Sequence, residues 1–155
     1  MRKFAFITML GLTAALQSGA SVADEASNPA VKARMAVMQL YANNLGQLGA
    51  MARGNSNYNS DAASAAANNL ALLVQLDQST WWPQGTDSEM LTETRALPAL
   101  WQNFPDVMAK GAALGEAAQA MQAAAGSDLA SLQAAMGPLG AACGACHKAY
   151  RVPDE

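Results

Sequence analysis

Histidine occurs once in this chain, cysteine twice, and tryptophan, tyrosine and phenylalanine three times each, while charged residues make up only 14% of it. Each scarcity excludes something. A single histidine rules out a site built on two imidazoles from one chain. No catalytic triad, carboxylate pair or phosphate-cradling loop is visible either, so no enzymatic turnover is expected. Lysine and arginine form no runs, which argues against nucleic acid and against an anionic membrane surface as partners. β-Branched residues are sparse, and the alternating pattern of a half-buried strand is missing.

The N-terminus carries a different signal. Met1, Arg2 and Lys3 lead into an apolar run from Phe4 to Leu12, and small residues then reach Ser21-Val22-Ala23. The run is too short to span a bilayer, and small residues at 21 and 23 suit cleavage before Asp24. Residues 1–23 are therefore expected to be a secretory signal peptide and residues 24–155 the mature domain, soluble and, in a bacterium, periplasmic. The alternative is a retained anchor. No later segment is expected to cross a membrane. Removing 23 of the 155 residues leaves 132, enough for one domain with a real core and too few for two. Seven Lys and Arg then face twelve Asp and Glu, a formal charge of −5.

What is abundant is alanine, leucine, methionine and glutamine, punctuated by proline and glycine. That composition favours helices. Four are expected. The first runs from about Pro29 to Arg53, with Val31, Met35, Met38, Tyr41, Leu45 and Leu48 on one face. The second covers roughly Asp61 to Leu76, capped by Ser60 or Asp61, and turns Ala66, Leu70, Leu73 and Val74 inward. A long connection from Asp77 to Pro98 follows. The third spans Pro98 to Ala125 with a bend at Pro105, and Gly126-Ser127-Asp128 separates it from the fourth, Asp128 to Arg151, which Pro138 interrupts. The fold class is all-α, an antiparallel four-helix bundle. Glycines at 115, 137, 140 and 144 either let backbones approach closely or make room for a flat ring.

Near the end of the fourth helix stands Cys143-Gly144-Ala145-Cys146-His147, the haem c attachment pattern. On a helix these three side chains share one face. Two thiols can then add to the vinyl groups along one porphyrin edge, while the adjacent imidazole reaches the iron. Three other readings compete. An exported pair of cysteines often forms a disulfide. A redox dithiol with this spacing belongs at a strand-to-helix junction that this sequence does not offer. Zinc would be one ligand short of a tetrahedral set. One covalently bound haem c with His147 as the proximal ligand is the expectation.

A haem motif at the C-terminal end of a four-helix chain resembles the class II cytochromes c, and specifically the cytochrome c′ family. Further stretches are similar to it: Val31-Lys32-Ala33-Arg34 with Met38 and Asn44-Leu45-Gly46, then Trp82-Pro83-Gln84-Gly85-Thr86, then Pro98-Ala99-Leu100-Trp101. Leu139-Gly140 through Cys143, Cys146, His147, Tyr150 and Arg151 matches its end. The resemblance implies that Arg34 lies near a haem propionate, that Met35 and Met38 are haem contacts, and that Met38 faces the open side of the iron. It further implies that Glu93, Thr94 and Arg95 cover the propionates, and that Trp101 and Tyr150 pack against the haem or its edge. Read alone, Arg34 is a surface residue and each methionine core filler. With the resemblance, the expected function is one-electron transfer and binding of small gases such as NO or CO at five-coordinate iron. The alternative is a six-coordinate carrier in which Met38 completes the ligand set. Expected partners are an unidentified redox protein and a second copy of the chain.

Overall fold

Helix starts in this chain are fixed by short side chains that accept backbone N–H groups. Asn28 accepts from Ala30 and Val31, and Pro29 takes the first helical position, where its missing N–H costs nothing. The computed structural model describes residues 28–153. Residues 1–27, with the expected signal peptide and its cleavage point, lie outside the described residues, as do 154–155. Among the described residues five helices form: α1 Pro29–Ala52, α2 Ser60–Leu73, α3 Ala99–Gln102, α4 Phe104–Ala124 and α5 Leu129–Tyr150. Among the described residues the one β feature is an isolated bridge between Ala96 and Arg151.

The boundaries depart from expectation where local chemistry outweighs the pattern. Asn59, not Ser60 or Asp61, caps α2 and accepts from Ala62. Asp128 caps α5 as expected, accepting from Ser131 at 2.7 Å. The expected third helix is broken into α3 and α4 rather than bent. Asn103 leaves helical geometry at φ −131°, ψ 48°, and Pro105 then starts α4, where a proline has no ladder to disrupt. Pro138 does not interrupt α5, which stays helical through all 22 residues. Pro138 and Ala134, whose carbonyl loses its partner, are both exposed, so solvent can satisfy that oxygen. α5 is also long and apolar enough to cross a membrane by length and composition, contrary to expectation.

Two long-range hydrogen bonds define how the helices run. Tyr58, just before α2, donates to the carbonyl of Ala125 after α4, while Tyr150 at the end of α5 donates to Asp106 at the start of α4. α1 packs on α2 and α5, and α4 on the same two. All neighbours are therefore antiparallel, and the long connection between α2 and α3 lies at the end of the bundle that holds the haem motif. The molecule is an all-α, antiparallel four-helix bundle with α3 as a one-turn lead into α4.

The core occupies the other end. Leu48, Met51, Ala63, Ala66, Ala67, Leu70, Ala118, Met121, Leu132 and Leu139 bury one another there, and small alanines on α2 let the helices draw close. Of nine exposed large hydrophobic side chains among the described residues, only Leu129 lies at that end; Met35, Met38, Leu40, Leu72, Leu76, Met90, Phe104 and Met108 lie at the other or on its loop. The motif end keeps buried Val31, Leu100 and Tyr150 but carries most of the exposed large apolar side chains. Leu48→Ala should therefore cost about 2–5 kcal/mol in denaturant unfolding, and Met90→Ala, at 68% exposure, less than ~0.5 kcal/mol.

Candidate functional site

Cys143, Cys146 and His147 sit on an unbroken stretch of α5, one turn apart, with both sulfurs half-buried and the imidazole exposed. No disulfide joins Cys143 to Cys146. Burial pushes the Cys143 thiol up. It does the same to Cys146, which Lys110 pulls back down while Asp106 and Cys143 push it further up. Across from them on α1, burial first and the nearness of Cys143 second push the Tyr41 hydroxyl up to about 12.

The surface around the motif is apolar and unfilled. A Cβ built on Gly115, Gly137, Gly140 or Gly144 would meet nothing within 4 Å, so these glycines do not serve close helix approach and leave room instead. An apolar pocket between the helices, lined by Tyr41, Leu45, Leu70, Val74, Leu114, Ala118, Leu139 and Cys143, opens beside the first thiol. Met35 and Met38 stand 47% and 39% exposed on α1, and Phe104 and Met108 are exposed on α4. Few α5 residues are buried: Leu132, Leu139 and Tyr150. Two thiols beside exposed apolar side chains suit a large, flat, apolar group seated over this surface rather than inside the pocket, whose volume is about 10 Å³; water alone would leave the apolar surface exposed at a cost of roughly 25 cal/mol per Å².

Arg34 is the densest polar node. Only 4% exposed, it donates from Nη1 to Thr86 Oγ1 at 2.8 Å and to the Trp81 carbonyl at 3.4 Å, and from Nη2 to Thr94 Oγ1 at 2.8 Å and to the Thr86 carbonyl. Its Cζ lies 5.0 Å from the Trp82 ring centroid and 5.8 Å from that of Trp101. Burial lowers its pKa, and the longer-range attraction of Asp87 and then Glu93 works against that. The two indoles meet edge-on, and Trp101 Nε1 donates to the Trp82 carbonyl at 2.9 Å. Gly85 makes this packing possible by adopting φ 77°, a left-handed turn that side chains resist. Arg34 thus fastens the long loop to α1.

The loop residues of the sequence reading come together in sequence but point to different anchors. Glu93 Oε1 accepts from the backbone of Asn28 at 2.6 Å, at the start of α1. Thr94 meets Arg34, and Arg95 donates to the Val152 carbonyl at 2.7 Å. Sequence reasoning missed Thr86, Asp106 and Lys110. An Asp106–Lys110 spacing of four was readable as a helical ion pair, whereas the contact of Asp106 with Tyr150, 44 residues away, left no local trace.

A four-helix bundle with a paired-thiol haem motif at its open end is the architecture of a class II c-type cytochrome. Residues 29–151 match the profile of the family described as Cytochrome C′. The chain is 41% identical over 150 residues to a cytochrome c-554 of Cereibacter sphaeroides, covering 96% of this chain and 98% of that one. Among solved structures it is similar to a cytochrome c′ from Rhodobacter Spheriodes, at 38% identity and TM-score 0.79 over 81% of this chain and 96% of that one. It is also similar, at 26% identity and TM-score 0.71 over 80% and 95% of the two chains, to a cytochrome c′ with a ligand-controlled dimer dissociation. The chain belongs to the cytochrome c′ family, whose members are haem electron carriers and gas binders, and its cofactor is covalently attached haem c.

In the haem-free protein the raised thiol pKa values leave less thiolate at neutral pH than an ordinary cysteine has. Iodoacetamide should therefore label Cys143 and Cys146 more slowly than it labels free cysteine at pH 7.5, with the gap closing as pH rises. Equal rates at pH 7.5 would contradict the burial seen here.

Proposed function

We propose that this chain is a periplasmic one-electron carrier and binder of small gases, in which Cys143 and Cys146 hold the haem and His147 ligates its iron. The observation that carries the reading is the unpacked end of the bundle. Exposed Met35, Met38, Phe104 and Met108 and the open glycine face of α5 surround the one Cys-x-x-Cys-His motif. When attached, the haem iron supplies one-electron chemistry and a coordination site for NO or CO. The protein supplies the rest. Cys143 and Cys146 fix the ring edge through thioethers, and His147 offers a neutral imidazole nitrogen. Arg34 places a buried positive charge on the propionate side, with Glu93, Thr94 and Arg95 covering that edge. Met35 and Met38 would present apolar surface from α1 to the bound group, Met38 toward the side of the iron away from His147. No residue is assigned a catalytic role.

Export accompanies this reading, with residues 1–23 removed as a signal peptide and residues 24–155 forming the mature domain; no nucleic acid or membrane contact is assigned. The physiological redox partner is a protein. Cys143→Ser with Cys146→Ser should abolish acid-stable haem, whereas His147→Ala should leave covalent attachment possible but change the optical spectrum. A double serine variant with haem that resists acid extraction in normal yield would refute the thioether assignment.

A second coordination state has a specific support: Met38 is 39% exposed and carries a flexible thioether on the face of α1 that looks toward the open end. Two outcomes separate the states. If Met38 only lies over the iron, oxidised protein is high-spin and Met38→Ala binds CO faster and more tightly. A near-infrared sulfur-to-iron band in the wild type that disappears in Met38→Ala identifies Met38 as a ligand instead.

A homodimer is also proposed. Leu40, Leu72 and Leu76, at 50%, 62% and 45% exposure, line an apolar groove between α1 and α2, with Asn69 donating to Asn44 at 3.0 Å along it. A solved relative is a dimer whose dissociation its ligand controls. Leu72→Asp should shift the protein to monomer in sedimentation at micromolar concentration; an unchanged mass would remove this groove from the interface.

A further inference from the structure

Asp106 stands in the first turn of α4, against the last turn of α5. Its Oδ2 accepts a 2.6 Å hydrogen bond from the Tyr150 hydroxyl and lies 3.1 Å from Lys110 Nζ, which also reaches Oδ1 at 3.3 Å. Tyr150 is buried, and its carbonyl accepts from the backbone of Leu97 at 2.9 Å, so the final turn of α5 is held from two sides. Tyr150 lies one turn beyond His147 on the same helix face. The Tyr150 hydrogen bond, and then that of Lys110, hold the Asp106 carboxyl below the usual carboxylate range, and the same contact pushes the Tyr150 hydroxyl up. Lys148 and Arg151 on and after α5 and Arg95 on the loop are further charges near this end of α5 among the described residues.

We infer that Asp106 and Lys110 are charge-setting residues for the proximal side of the His147 site, and that Tyr150 is the positioning residue that fixes the pair relative to the last turn of α5. The inference rests on the haem reading above. A fixed negative charge favours the more positive, oxidised iron, and a fixed positive charge favours the reduced one. Asp106 and Lys110 therefore pull the reduction potential in opposite directions. A purely structural tie would shift it in one direction through loosened packing, if at all.

The test uses purified holoprotein and spectroelectrochemistry at low salt. Asp106→Asn raises the midpoint potential, Lys110→Gln lowers it, and Asp106→Glu restores the wild-type value. Tyr150→Phe keeps both charges, so it moves the potential less than Asp106→Asn but displaces the hyperfine-shifted His147 ring signals in the proton NMR spectrum of the oxidised protein. Shifts of the same sign in both charge variants, or none in either, overturn the inference when acid-stable haem is at the wild-type level. Should Asp106→Asn not fold, Lys110→Gln decides the matter: a downward shift supports the inference and an unchanged potential overturns it. Absence of acid-stable haem from the wild type itself would overturn the cofactor reading first and this one with it.

Discussion

The end of this bundle away from the haem motif is closed by large buried side chains and the motif end leaves most of its large apolar side chains exposed, and much of the molecule follows from that difference. Leucines and methionines seal the end around Leu48, Met121 and Leu132, each fully buried. Toward Cys143, exposed Gly137, Gly140 and Gly144 on α5 leave open space beside the helix, and large apolar side chains remain at the surface. A bundle this short of bulky side chains cannot reach native packing density throughout its length by itself. Haem c held by Cys143 and Cys146 would cover apolar surface at that end, and holoprotein stability would then be linked to the haem.

The unpacked end also needs a frame that does not depend on hydrophobic contact. Polar ties provide it. Arg34 binds the loop to α1 through Thr86, Thr94 and Trp81, Glu93 reaches the start of α1, and the backbones of Arg95 and Leu97 bond with those of Val152 and Tyr150 at the end of α5. Asp106 and Tyr150 then join α4 to α5. Burying the Arg34 guanidinium is acceptable because carbonyl and hydroxyl acceptors and two indole faces surround it. These ties join α1, α4, the loop and the last turn of α5 at the end of the bundle that carries the motif.

Much of this was legible in the sequence, and the limits were physical. The helical class, the antiparallel bundle and the attachment motif follow from composition, periodicity and a spacing of three and four. Asp128 as a cap was readable because its acceptor acts locally on Ser131. The break at Asn103 was harder, since proline is tolerated equally well at a bend and at a helix start and only backbone geometry separates the two. Periodicity placed Met35 and Met38 on the same face as the buried Val31 and Leu48, yet both are exposed; a helix face that is continuous in sequence passes from packed core to open site within three turns. Arg34 read as a surface residue because its acceptors lie about 50 residues away on a loop without regular structure.

The claim on which the account rests is that the open end is completed by one haem bonded to both Cys143 and Cys146. Mass spectrometry of the peptide spanning these residues, from protein matured in a host that attaches haem c, tests it most directly. The account predicts a single haem added to that peptide, retained through acid denaturation, with neither thiol alkylatable. A peptide of unmodified mass with two free thiols, or one lighter by two hydrogens through a Cys143–Cys146 disulfide, would contradict it.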